Sequence, residues 1–232
     1  MEKQKYTAIV LAAGSGKRMN SKVHKQYLII QDRPVLYYSL KAFEDSAVDE
    51  IVLVVGKGEE KFCRKEIVDK YGISKVKAIV EGGKERYHSV FEGLKQTSDA
   101  DYVLIHDGAR PFVNQDIIRR CMQEVQKYQA CVVGMPVKDT IKIADEEGYA
   151  KQTPDRKNVW MIQTPQTFSY ALIYEAYEEM LKTEDAAITD DAMVLERTKG
   201  KKSKLIEGSY RNIKITTPED LLIANVYLQH PE

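Results

Sequence analysis

An α/β fold, with a mostly parallel sheet covered by helices, is what three features of this sequence predict. Short apolar runs recur at lengths that suit buried strands; segments with apolar residues at helical spacing alternate with them; and the first run passes directly into a glycine turn, Gly14-Ser15-Gly16. In chain order, strands are expected at Tyr6–Leu11, Glu50–Val55, Val76–Val80, Tyr102–His106 and Ala130–Pro136. Crossover helices are expected at Val35–Asp45, Glu59–Tyr71, Glu85–Leu94 and Asp116–Tyr128, the last with Ile117, Cys121, Val125 and Tyr128 at helical spacing. Beyond Pro136 the pattern changes. Thr140–Ile143, Tyr149–Gln152 and Val159–Gln163 read as short extended pieces separated by turns, an arm projecting from the domain over about 138–163. Globular patterning then returns, with helices at Tyr170–Lys182 and Asp190–Thr198 and strands at Lys204–Glu207 and Asn212–Ile215. A last helix is opened by Thr217-Pro218-Glu219, where proline suits the first helical position. No repeat, low-complexity run or linker divides the chain, so a single domain over 1–232 is expected.

Lysine plus arginine and aspartate plus glutamate each number 35, a formal net charge of zero. There is no global field to attract nucleic acid or an anionic membrane, so neither is expected as a partner and any anion site is local. Cys63, Cys121 and Cys131 are odd in number, widely spaced and in apolar or amphipathic settings, which reads as reduced thiols rather than disulfides or a zinc site. The chain opens Met-Glu-Lys-Gln-Lys-Tyr without an apolar leader and has no run of membrane-spanning length, so a soluble cytoplasmic protein is expected.

The residues that carry chemistry fall where strands end, the side on which open parallel sheets bind ligands. After the first strand, Gly14 and Gly16 let the backbone approach an anionic oxygen closely, and Lys17 and Arg18 add positive charge, which is the grammar of a phosphate site. A Walker loop is excluded because Arg18 stands where Ser or Thr is required; a dinucleotide fingerprint is excluded because Met19 occupies its third glycine. The third strand ends at a second glycine turn with cations, Glu81-Gly82-Gly83-Lys84-Glu85-Arg86, which feeds a helix near Ser89. The fourth ends at His106-Asp107-Gly108-Ala109-Arg110-Pro111. Asp107 is suited to ligate magnesium or accept from a sugar hydroxyl, and Arg110 to clamp a phosphate, or the two close the turn as a structural pair. His106 reads as hydrogen-bonded structure rather than a catalyst.

Further segments join these in order: Leu11 to Met19, Lys25-Gln26-Tyr27, Gly82-Gly83 with Arg86 and Ser89, His106 to Phe112, Lys138 to Lys142, Asp155-Arg156, Gln163 to Phe168, Thr189-Asp190-Asp191-Ala192, and Asn212 to Asp220. As a set they resemble the 2-C-methyl-D-erythritol 4-phosphate cytidylyltransferase family over nearly the whole chain. The resemblance implies a Rossmann-like nucleotidyltransferase fold and transfer of CMP from CTP to methylerythritol phosphate, with magnesium and release of pyrophosphate. It implies that the loop of Ala12, Ala13, Gly14, Gly16 and Lys17 holds the triphosphate, while Gly83, Ser89, Asp107 and Ala109 hold cytosine and ribose. Arg18 and Lys25, with Arg156 and Lys214, are then the catalytic cations, and Arg110, Thr140, Arg156, Thr189 and Lys214 hold the acceptor phosphate. It further implies a homodimer in which the arm carries Arg156 into the partner's site.

The charge argument agrees with that assignment. In-line attack of an ionised phosphate on the α-phosphate spreads negative charge over equatorial and leaving oxygens, which fixed cations stabilise; no covalent nucleophile is needed. Two departures from the family's habit stand out: His24 replaces the common proline before Lys25, and Tyr87-His88 replaces a short polar pair before Ser89. The ribitol-5-phosphate cytidylyltransferase family shares the loop and the His-Asp turn. It usually shows Ala-Gly-Gly and Ala-Val-Arg-Pro, where this chain has Ala12-Ala13-Gly14 and Gly108-Ala109-Arg110-Pro111. A catalytically silent nucleotide-binding regulator would be expected to lack Arg18, Lys25 or Lys214, and all three are present.

Overall fold

Alternate residues of the first strand, β1 (Tyr6–Ala12), bury on opposite faces, and the layers follow from that. Ala8 and Val10 pack with Leu36, Phe43 and Ile117 on one side, whereas Ile9 packs with Val90, Leu94 and Tyr177 on the other. The computed structural model describes residues 3–14, 23–97, 99–182 and 188–230. Gly16, Lys17 and Arg18 therefore lie outside the described residues.

The described central sheet contains β1, β2 (Glu50–Val55), β3 (Val76–Glu81), β4 (Tyr102–Asp107), β5 (Ala130–Pro136), β6 (Trp160–Ser169) and β7 (Lys204–Glu207). Its order is β7-β5-β6-β4-β1-β2-β3. All neighbours are parallel except β6, which runs antiparallel to both β4 and β5. Helices α1 (Val35–Glu44), α2 (Glu60–Cys63, continued as a wider coil over Arg64–Asp69), α3 (Arg86–Leu94) and α4 (Gln115–Tyr128) make the crossovers, and α5 (Tyr170–Met180) and α6 (Asp191–Lys199) follow β6. The α/β sheet with flanking helices is the architecture the apolar runs predict. No described helix is long and apolar enough to cross a membrane.

Two expectations need correction. Asn212–Ile215 is not a strand: the segment crosses the carboxyl edge of the sheet, where Asn212 N–H donates to Ser209 O at 3.0 Å and Ile215 N–H donates to Ala109 O at 2.8 Å. Its backbone is claimed by loops and not by a sheet edge. The extended piece ending at Gln163 instead continues through Pro165 to Ser169 as β6, with a register shift against β5 between Ile162 and Gln166. That irregularity absorbs a proline that reads in sequence as a strand end.

The arm is exposed over nearly all of 138–158 and carries a short antiparallel ribbon, Ile143–Ala144 against Ala150–Gln152. At its root Trp160 pairs with Pro136, and Val137 N–H donates to Val159 O at 3.0 Å. The last helix, α7 (Pro218–Gln229), begins at a capping box between Thr217 and Asp220 and covers Ile30, Val35 and Ile215 through Ala224.

Candidate active site

The carboxyl ends of β1, β3 and β4 converge on one edge of the sheet, and a cavity of about 360 Å³ opens there. Ala12, Ala13 and Gly14 from β1 and its loop line it, with Gly83 and Ser89 from the β3–α3 turn, Asp107 and Ala109 from β4, and Lys25 and Lys214. These are the described residues that the sequence nominates for CTP, brought together with two of the proposed cations. A second cavity of about 320 Å³ adjoins it and is bordered by Arg110, Thr164, Thr189 and Asp190. The two share a wall of Arg86, Asp107 and Lys214.

Local structure explains the convergence. Leu11 and Asp107 are opposite each other in the β1–β4 ladder, and Gly108 N–H donates to Leu11 O at 2.8 Å. A Cβ at Gly108 would come within 2.9 Å of that carbonyl, so the close turn requires glycine. At the β3–α3 turn Gly83 N–H donates to Ser89 Oγ at 3.1 Å, and a Cβ on Gly83 would stand 2.3 Å from His88 Cβ. His88 earns its place here: its Nδ1 accepts from Glu85 N–H at 3.2 Å, completing a reciprocal cap on α3.

Charge concentrates on Asp107. Lys214 Nζ lies 2.8 Å from its Oδ2, Arg86 Nε 3.4 Å from Oδ1 and Arg110 Nε 3.7 Å from Oδ2. Burial alone would raise this carboxyl, but Arg86, Lys214 and Arg110 together hold it well below the usual carboxylate range. Arg86 is itself fixed by a bidentate pair with the buried Asp191, at 2.7 and 2.8 Å, and Asp191 also accepts from the Tyr177 hydroxyl at 2.6 Å. Arg86 and Asp191 stand in the segments that carry the family resemblance, but nothing in the sequence joins them as a pair. The signal was a charged pair separated by over a hundred residues, which spacing alone cannot join.

The expectation that Asp107 ligates magnesium meets a carboxylate whose two oxygens already serve three cations, so it does not fit a metal held there. Among the described residues no cluster of three His, Cys, Asp or Glu side chains forms a metal centre. Arg110 is partly committed as well: its guanidinium donates to Asn212 O at 2.8 Å and Ile162 O at 3.4 Å, holding the Asn212 segment against β6. Lys25 reaches the cavity from a single turn, Lys25–Tyr27, and its Nζ donates to Ile215 O at 3.0 Å. Thr140 and Arg156 sit on the exposed arm and line neither cavity; Arg156 donates to Lys138 O at 3.2 Å.

His106 is buried beneath the site. Its Nε2 is 3.2 Å from Arg110 O, an acceptor only, so Nε2 carries the proton and Nδ1 accepts from the Thr164 hydroxyl at 3.0 Å. Burial lowers its pKa to about 4. It is neutral near pH 7 and hydrogen-bonded at both ring nitrogens.

The family profile of 2-C-methyl-D-erythritol 4-phosphate cytidylyltransferase (IspD) matches residues 6–230. A protein of that name from Lachnoclostridium phytofermentans is 51% identical over 226 residues, covering 97% of each chain. Another from Lachnospira eligens is 54% identical over 225 residues, covering 96% of this chain and 99% of its own. The crystal structure of 4-diphosphocytidyl-2C-methyl-D-erythritol synthase from Anaerococcus prevotii matches with a TM-score of 0.86 at 38% identity, over 98% of this chain and 97% of that one. By the profile match over residues 6–230 and relatives about half identical over nearly the whole chain, the chain belongs to the 2-C-methyl-D-erythritol 4-phosphate cytidylyltransferase family.

Proposed function

We propose that this chain transfers CMP from CTP to 2-C-methyl-D-erythritol 4-phosphate, giving 4-diphosphocytidyl-2-C-methyl-D-erythritol and pyrophosphate. The observation that carries the reading is the pair of cavities with a common wall of Arg86, Asp107 and Lys214. Transfer between two bound molecules needs the reacting phosphates within reach of one cation, and Lys214 borders both spaces. An acceptor phosphate oxygen attacks the α-phosphorus, the α–β bridging P–O bond breaks, and pyrophosphate carries away the electron pair. The acceptor is already ionised, so no general base is required. Lys25 and Lys214 stabilise the charge that spreads during transfer, and Arg18 is assigned the same task.

On this reading Ala12, Ala13, Gly14, Gly16 and Lys17 cradle the triphosphate, and Gly83, Ser89, Asp107 and Ala109 hold base and ribose. Arg110, Thr189 and Lys214 face the acceptor, joined by Thr140 and Arg156 from the arm of a second copy. Exposed Ile143, Tyr149, Met161 and Ile162 on and beside the arm support a homodimer through it. Magnesium would be held by the oxygens of CTP and water, where a hard cation finds its preferred ligands and offsets triphosphate charge. The three cysteines are free and buried, which supports a reducing compartment, the cytoplasm.

The test is pyrophosphate release with CTP and either methylerythritol phosphate or ribitol 5-phosphate. Phosphate clamps cannot separate two polyol monophosphates, so selectivity rests on hydroxyl and methyl contacts, and leaving a buried polar group unpaired costs more than the roughly 1–3 kcal/mol of one methyl. A large kcat/KM preference for methylerythritol phosphate is expected. Equal values, or the reverse preference, would overturn the acceptor assignment, and no pyrophosphate with either would favour a silent regulator.

A further inference from the structure

Glu59 lines neither cavity, yet it touches the residues on both sides of Lys25. Lys25 opens a one-turn segment closed by Tyr27 N–H to His24 O at 2.9 Å. Just ahead of α2, the Glu59 carboxylate places Oε1 2.8 Å from His24 Nδ1, while Oε2 accepts from the Tyr27 hydroxyl at 2.7 Å and from Gly56 N–H at 3.0 Å. Burial pushes the Tyr27 phenol well above its ordinary range and the Cys63 thiol up to about 11, so both stay protonated and Tyr27 donates to the carboxylate. His24 Nδ1 is buried, lies against Glu59 Oε1 and has no other aligned hydrogen-bond partner among the described residues.

We infer that Glu59 is a positioning residue for Lys25, acting through His24 and Tyr27. The inference rests on the proposed role of Lys25 in transfer. A lysine on a single half-buried turn still has many rotamers, and holding its amine beside a reacting phosphate costs the freedom of both turn and side chain. Gln26 fixes the depth of the turn by donating to Ala12 O. Glu59 fixes its two ends, which sets the direction in which Lys25 leaves the backbone. His24 supplies a partner at the position where the family commonly places a rigid proline, so here the turn is held by side-chain contacts with Glu59 instead of by a ring.

The experiment compares wild type, Glu59→Ala, Tyr27→Phe, Lys25→Ala and the doubles Glu59→Ala/Lys25→Ala and Tyr27→Phe/Lys25→Ala, measuring kcat by pyrophosphate release, CTP affinity by calorimetry and thermal midpoints. Glu59→Ala is expected to lower kcat about tenfold and Tyr27→Phe about threefold, with CTP Kd within about threefold of wild type. In the Lys25→Ala background each change is expected to move kcat by less than about twofold, because the group it positions is gone. Full additive losses in that background, or unchanged kcat in both single variants, would overturn the inference. If Glu59→Ala does not fold, Tyr27→Phe in the two backgrounds decides by the same criterion. Near-normal kcat for Lys25→Ala alone is a separate outcome, which overturns the role of Lys25 and the inference with it.

Discussion

If Lys25 acts on charge that appears only during transfer, as proposed, replacing it by alanine should lower turnover by about 10²–10³ while CTP affinity changes much less. Equal losses in kcat and affinity, measured on the same protein, would make it a binding residue. His106 gives a different kind of test. Its pKa falls from 6.5 to about 4 in the folded chain, so the unfolded chain binds more protons between those values. The stabilisation it contributes is complete above pH 6.5 and is lost as pH falls through about 4, amounting to about 3 kcal/mol at most. Thermal midpoints should therefore drop from pH 6.5 to 4, and His106→Gln should flatten that interval; an unchanged slope would show that another group titrates there. Asp107 adds its own loss only below its unfolded value near 3.8, because its folded carboxyl is depressed. At this scale the sequence was informative where a residue type is tied to a local turn, as at Gly83, Ser89 and Asp107. It was silent on Arg86–Asp191 and on Glu59, whose partners come from distant segments and whose types are common on any surface.

Among the elements, the first five strands and the helices between them were legible because each buries a continuous or regularly spaced apolar face. β6 was legible only in part. A proline and a polar run, Gln163-Thr164-Pro165-Gln166-Thr167, look like a loop, yet Gln163, Thr164, Gln166 and Thr167 are all buried. Their side chains are used as structure: Gln166 Oε1 accepts from the N–H groups of Asp191 and Ala192 at the start of α6, both at 3.0 Å. Asn212–Ile215 is the converse, a segment with a strand's pattern whose N–H groups bond to the loop carbonyls of Ser209 and Ala109. The arm carries a prediction of its own. If it completes a partner's site, mixing Arg156→Ala with Lys25→Ala chains gives heterodimers in which one site holds both lesions and the other holds none. Equal mixing with free exchange should then restore about a quarter of wild-type activity, the statistical share of intact sites in a twofold dimer. Exchange demonstrated without recovery would place Arg156 outside the partner's site.

For the molecule as a whole, the site lies where β1 and β4 part company, with β2 and β3 stacked to one side and β6, β5 and β7 to the other, the crevice at which open α/β sheets accept ligands. The apolar runs were enough to predict the sheet, but the position of β6 between β4 and β5, antiparallel to both, is set by packing of distant segments and leaves no period in the sequence. The root of the arm has a consequence beyond catalysis. Because Trp160 sits opposite Pro136, the chain departs and returns on a single rung, so the twenty-odd intervening residues form a parenthesis in the ladder. Such a parenthesis can be lengthened or trimmed with no shift in the register of β5 and β6, so changes within it leave the frame of the sheet intact.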